Sequence, residues 1–181
     1  MEKSKISAKQ VIFGLIMTAV LVALDQVTKW WAVANLKGQA PIVWIKGVFE
    51  LQYLENRGAA FGLMQNQRWL FLISVGIVMI IVGYCYYRLP GDKRYSPLRW
   101  ICISMAAGAL GNMIDRISNG YVVDFFYFSL IDFPIFNVAD IYVTLSAAIL
   151  ILLVFFHYKE EDFSFLVSKK KRKPGDTNGN H

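Results

Sequence analysis

Residues 69–87 read Trp-Leu-Phe-Leu-Ile-Ser-Val-Gly-Ile-Val-Met-Ile-Ile-Val-Gly-Tyr-Cys-Tyr-Tyr, without one charged side chain. About 20 mainly apolar residues are needed to cross bilayer hydrocarbon as a helix, the form that leaves no backbone polar group unpaired in lipid. Three other segments reach a similar length. Residues 11–31 are apolar up to Leu24, then carry Asp25 and Lys29 before Trp30 and Trp31, an aromatic pair suited to a water interface. Residues 98–116 end in Asn112, Asp115 and Arg116, and residues 139–158 start at Ala139-Asp140 and are then continuously apolar. The pattern predicts a membrane α-helical fold with four transmembrane helices.

Composition agrees. Of 181 residues 56% are hydrophobic and only 18% charged, far from the balance of a water-soluble domain. The net charge of +6 is not that of a nucleic-acid binder, because the basic residues flank apolar runs instead of forming a stripe with exposed aromatics. They orient the chain. Lys3, Lys5 and Lys9 precede the first span, Arg88, Lys93, Arg94 and Arg99 flank the second turn, and Lys159 with residues 169–173 follow the fourth. The opposite side has Lys37, Lys46, Arg57 and Arg68 in a long loop and no basic residue between Ile117 and Val138, so both termini are expected in the cytoplasm.

Residues 1–158 then form a single domain, with outer loops at 32–68 and 117–138, and residues 159–181 form a basic tail expected to be disordered against anionic lipid. The N-terminus resembles a secretory signal, but no small-x-small cleavage site precedes Asp25, so residues 11–31 are read as the first span. Residues 41–45 and 48–55, separated by Lys46-Gly47, and residues 121–128 have strand-like content and predict a small extracytoplasmic β-rich platform. Gly58-Ala59-Ala60-Phe61-Gly62 is small and apolar enough to dip back into the interface.

The polar residues gather in five short islands: Asp25 to Lys29, Asn56 to Phe61, Gly111 to Arg116, Gly120 to Asp124 and Phe136 to Asp140. Ionisable groups beside hydrocarbon are costly and generally serve a function. Asp25 and Lys29, four apart, share a helix face and either pair to hold the helix end or serve the site. Asp115 reads first as structural glue beside Arg116, while Asn112 and Arg116 are placed to bind a peptide carbonyl or orient another carboxylate. Ala106, Ala107, Gly108, Ala109 and Gly111 allow a neighbouring helix to approach closely. Asp132 belongs to a polar turn.

Asp124 stands between two valines and two phenylalanines, where burial disfavours charge. Asn137 reads as a helix N-cap, with Asp140 reaching back to the free amides, a position that favours the ionised carboxylate. Environments that diverge in this way give paired carboxylates separate acid and base roles. The alternatives lack their parts. His157 and His181 are the only histidines, Cys85 and Cys102 lie inside apolar runs without CxxC spacing, and there is no HExxH, so neither a histidine-based triad nor a zinc site is supported. An aspartic mechanism is the one hydrolytic route this inventory supports. A proton-coupled transporter or channel subunit would instead need polar residues deeper in the membrane than Ser74, Thr144 and Ser146.

Taken together, DxxTK, NxGxAF, GNxxDR, GxVVDF and FNxAD resemble the motifs of the lipoprotein signal peptidases, in family order, over residues 11–156. The resemblance implies an aspartic endopeptidase of the bacterial cytoplasmic membrane that removes the signal peptide before a diacylglyceryl-modified cysteine. It implies Asp124 and Asp140 as the catalytic dyad between the third and fourth helices, near the outer face. Asp25, Lys29, Asn56, Gly58, Asn112, Asp115, Arg116 and Asn137 would shape the site and hold the substrate. No metal or organic cofactor is expected, and the expected partners are lipid-modified prolipoproteins and membrane lipid, with the enzyme a monomer. Ala107 stands where the family often has the first glycine of GGxxGN; alanine is still small enough for helix contact.

Overall fold

A computed structural model describes residues 5–58 and 68–165. The Ala59-Ala60-Phe61 half of the NxGxAF motif, with Gly62, and the basic run from Lys169 lie outside the described residues. Among the described residues there are four long helices: α1 (Ala8–Leu36), α2 (Arg68–Arg88), α3 (Ser96–Ser118) and α4 (Val138–Phe156). By length and apolarity over an 18-residue window, α1 and α4 qualify as membrane-crossing, with mean hydropathies of 2.0 and 2.4. The charged and amide residues of α3 lower its mean.

Helices α1, α3 and α4 start where local chemistry favours it. Ser7 and Gln10 form a reciprocal capping box at the head of α1, and Pro97 sits in the first turn of α3, where its missing N–H loses nothing. Asn137 and Asp140 form a second capping box at α4. α3 is the central helix, packed against α1, α2 and α4. Its small residues permit this: a methyl added at Gly108 would lie 2.5 Å from the Ala139 carbonyl oxygen of α4, so the two backbones meet there almost directly.

At one end of the bundle β1 (Ile42–Ile45), β2 (Phe49–Asn56) and β3 (Val122–Tyr127) form an antiparallel sheet in chain order. It rests on the last turns of α1 through Ala32, Leu36, Leu51, Val123 and Phe125. This explains why α1 continues to Leu36 and does not end near Trp31: its final turns form the floor of the sheet. At the opposite end Leu89, Tyr95, Leu98, Ile101 and Tyr158 close a second cluster, and the buried Arg99 caps the turn by donating to the carbonyls of Pro90 (2.7 Å) and Asp92 (3.0 Å).

Candidate active site

β3 delivers Asp124. Leu54 of β2 lies opposite it in register, so Asn56, two residues on, shares its face of the sheet and donates from Nδ2 to Asp124 Oδ2 at 2.8 Å. The Asn56 Oδ1 is occupied by the Gly58 N–H at 3.1 Å, which fixes which end of the amide faces the carboxylate. Beyond β3 the chain folds back: Phe136 N–H donates to the Phe126 carbonyl, and the Phe136 carbonyl accepts from Phe125 and Phe126. That return pins the next residue, Asn137, beside the strand.

Asn137 joins the two candidate carboxylates. Its Nδ2 donates to Asp124 Oδ1 at 2.6 Å, its backbone N–H donates to Asp140 Oδ2 at 3.1 Å, and its Oδ1 accepts the Asp140 N–H at 3.1 Å. From α3, Asn112 Nδ2 donates to Asp140 Oδ1 at 2.7 Å. Arg116 meets a peptide carbonyl, that of Gly58, at 3.4 Å.

A second polar layer lies behind. Lys29 Nζ contacts Asp25 Oδ2 at 2.9 Å, Asp115 Oδ2 at 3.2 Å and Asn112 Oδ1 at 2.8 Å, while only 3% of the residue is exposed. Asp115 Oδ2 pairs with Lys29 and accepts the Val123 N–H at 3.0 Å. Gln26, which the motifs do not single out, donates to Asp25 Oδ2, the Gly111 carbonyl and Asp115 Oδ1 at 3.1–3.2 Å. The signal was its place between Asp25 and Lys29, but only the helix face it shares with α3 gives the position a use.

Asn56, Gly58, Arg116, Asp124 and Asp140 all line one cleft of about 1080 Å³. Its walls also include the apolar side chains of Leu54, Phe133, Ile141 and Leu145, which the sequence pattern did not distinguish. The cleft lies between the sheet and the ends of α3 and α4, a wider setting than the expected gap between two helices. Asp124 is 1% exposed. Burial, and secondarily the charge of Asp140, push its carboxyl up to about 7, against the Asn56 and Asn137 amides and Lys29, which favour the charged form. Asp140 is only partly buried and caps the N-terminus of α4. A carboxyl that keeps a proton, beside a second carboxyl at the same cleft, can share with it the activation of a water molecule.

The family model described as "Signal peptidase (SPase) II" matches residues 17–156. The chain is 43% identical over 147 residues to the lipoprotein signal peptidase of Streptococcus thermophilus (strain CNRZ 1066), covering 80% of this chain and 91% of that one. It is 38% identical over 144 residues to that of Streptococcus pyogenes serotype M5 (strain Manfredo), covering 79% and 91%. Two solved bacterial membrane enzymes share the fold: one at TM-score 0.70 and 28% identity, covering 87% of this chain and 99% of that one, the other at 0.66 and 27%, covering 88% and 99%. With the sequence motifs, the fold and most of the chain in agreement, the chain belongs to the signal peptidase II family.

Proposed function

We propose that this protein is a membrane aspartic endopeptidase that removes the signal peptide from diacylglyceryl-modified prolipoproteins, with Asp124 and Asp140 as its catalytic pair. Asp140 takes a proton from water as the water attacks the scissile carbonyl. Asp124, protonated, polarises that carbonyl and then gives its proton to the leaving amine. The observation that carries this reading is the single residue Asn137, which holds both carboxyls at one cleft through its side chain and its backbone. Arg116 and Gly58 line the same cleft and are placed to bind the extended substrate.

All four helices cross the bilayer in this reading, with residues 1–158 as one domain and both termini in the cytoplasm. Its support is the outward apolar surface of each helix: α2 exposes Ile73, Ile77, Ile80 and Ile81, and α4 exposes Ile151, Leu152 and Phe155, too much apolar area for contact with water. The cleft includes Leu145, itself 54% exposed, so it opens sideways toward hydrocarbon and suits a substrate that carries acyl chains. The enzyme acts as a monomer in the bacterial cytoplasmic membrane, surrounded by lipid and without nucleic acid. Purified protein in proteoliposomes is expected to cut a precursor peptide bearing diacylglyceryl-cysteine and to leave the unmodified peptide intact; equal cleavage of both would refute the lipid requirement.

A further inference from the structure

Asp25, Lys29 and Asp115 were expected to shape the site or hold substrate, and none of them lines the cleft. An ammonium group has three donors, and in Lys29 all three are taken, by Asp25, Asp115 and Asn112. The carboxylates are equally committed. Asp25 Oδ1 accepts the N–H of Ala139 at 2.9 Å, and Asp115 Oδ2 accepts the N–H of Val123 at 3.0 Å. Ala139 immediately precedes Asp140, and Val123 immediately precedes Asp124. Each inner carboxylate therefore grips the backbone N–H of the residue that precedes one member of the pair. Lys29 and Gln26 both bridge Asp25 to Asp115, so the two grips are tied to each other.

We propose that Asp25, Lys29 and Asp115 form a buried clamp that sets the separation and aim of Asp124 and Asp140 by fixing the backbone N–H before each, so that they act as positioning residues and make no contact with substrate. The proposal rests on the assignment of Asp124 and Asp140 as the catalytic pair. Neither backbone segment could be tied in this way by α4 or β3 alone. Ala139 lies in the first turn of α4, whose amides have no partner within the helix, and the N–H of Val123 donates to a side chain of α3. Lys29 also reaches Asp140 by a second route, since Asn112 accepts from Lys29 with Oδ1 and donates to Asp140 with Nδ2. The clamp has no slack: a methyl at Gly111 would collide with the Asp25 carboxylate.

The test is steady-state kinetics on the lipidated precursor peptide with Lys29→Met and with the triple variant Lys29→Met/Asp25→Asn/Asp115→Asn, each normalised to folded protein. Lys29→Met leaves two buried carboxylates facing each other. It is expected to lower kcat by about 10²-fold, the scale of a reacting group moved by ~1 Å, with KM nearly unchanged. In the triple variant each asparagine carbonyl still accepts its backbone N–H while no unpaired charge remains, so kcat is expected to recover at least about tenfold over the single variant. Should Lys29→Met not accumulate as folded protein, the triple variant is compared with wild type, and a kcat within about tenfold at unchanged KM is expected. A raised KM at normal kcat, an unchanged kcat in Lys29→Met, or a triple variant no faster than the single one, or outside that range where it is read alone, would overturn the clamp. Asp124→Asn and Asp140→Asn in the same assay separate the two readings: their activity would remove the catalytic pair, whereas their inertness beside a normal Lys29→Met enzyme removes the clamp alone.

Discussion

At Asp124, burial and the charge of Asp140 hold a proton on the carboxyl, while the amides of Asn56 and Asn137 favour its release. The sign of the pH response follows. The proton-bearing form is present below about 7 and is depleted above it, so kcat/KM is expected to fall on the alkaline side of that value, tenfold per pH unit once the limb is established. Asn56→Ala removes a hydrogen bond to the charged form and should move this limb to higher pH, as a pH–rate profile of the variant would show. A limb that stays or moves down would contradict the assigned cause. Folding stability follows the same shift: because the folded state keeps a proton that the unfolded chain releases near 3.8, stability falls as pH rises from 3.8 to about 7. The valines and phenylalanines around Asp124 made this burial legible in the sequence. Its amide partners were not, since Asn56 lies far away in the chain and reaches it only through the register of β2 with β3.

Among the elements, the N-terminus of α4 concentrates the most information. Its capping box was legible because Asn137 and Asp140 stand at the spacing that such boxes use. What local spacing could not reveal is that Asp25, from the middle of α1, supplies a further acceptor to the same helix end. The extension of α1 to Leu36 was hidden for a related reason: Asp25 and Lys29 suggested an approach to water, but they are buried against α3 and α4, so the helix need not end there. Asn137→Ala is expected to cost about 1 kcal/mol of stability as a lost N-cap. It should cost far more in turnover, about 10²-fold in kcat, because it frees both carboxyls. Thermal unfolding measured beside kinetics checks this, and a turnover loss no larger than the stability change explains would reduce Asn137 to a cap.

For the whole molecule, the apolar runs made the helices legible because a bilayer-spanning segment has one dominant requirement, and strand content with Lys46-Gly47 marked the sheet. The cleft was not legible, because its walls come from β2, β3, the loop before α4 and two helices, brought together only by tertiary packing. The proposed topology places Lys93 in the cytoplasm and Asn119 outside. In a chain whose Cys85 and Cys102 are replaced by alanine, a membrane-impermeant maleimide should label Asn119→Cys in intact cells, and Lys93→Cys only after permeabilisation; the reverse pattern would overturn the orientation. The central claim is that this assembly brings Asp124 and Asp140 to one water molecule at the rim of the membrane. Single-turnover cleavage of a lipidated precursor by folded, membrane-inserted Asp124→Asn and Asp140→Asn tests it most directly. Both variants should be slower than wild type by at least about 10²–10⁴-fold, and a near-normal rate from either would contradict the account.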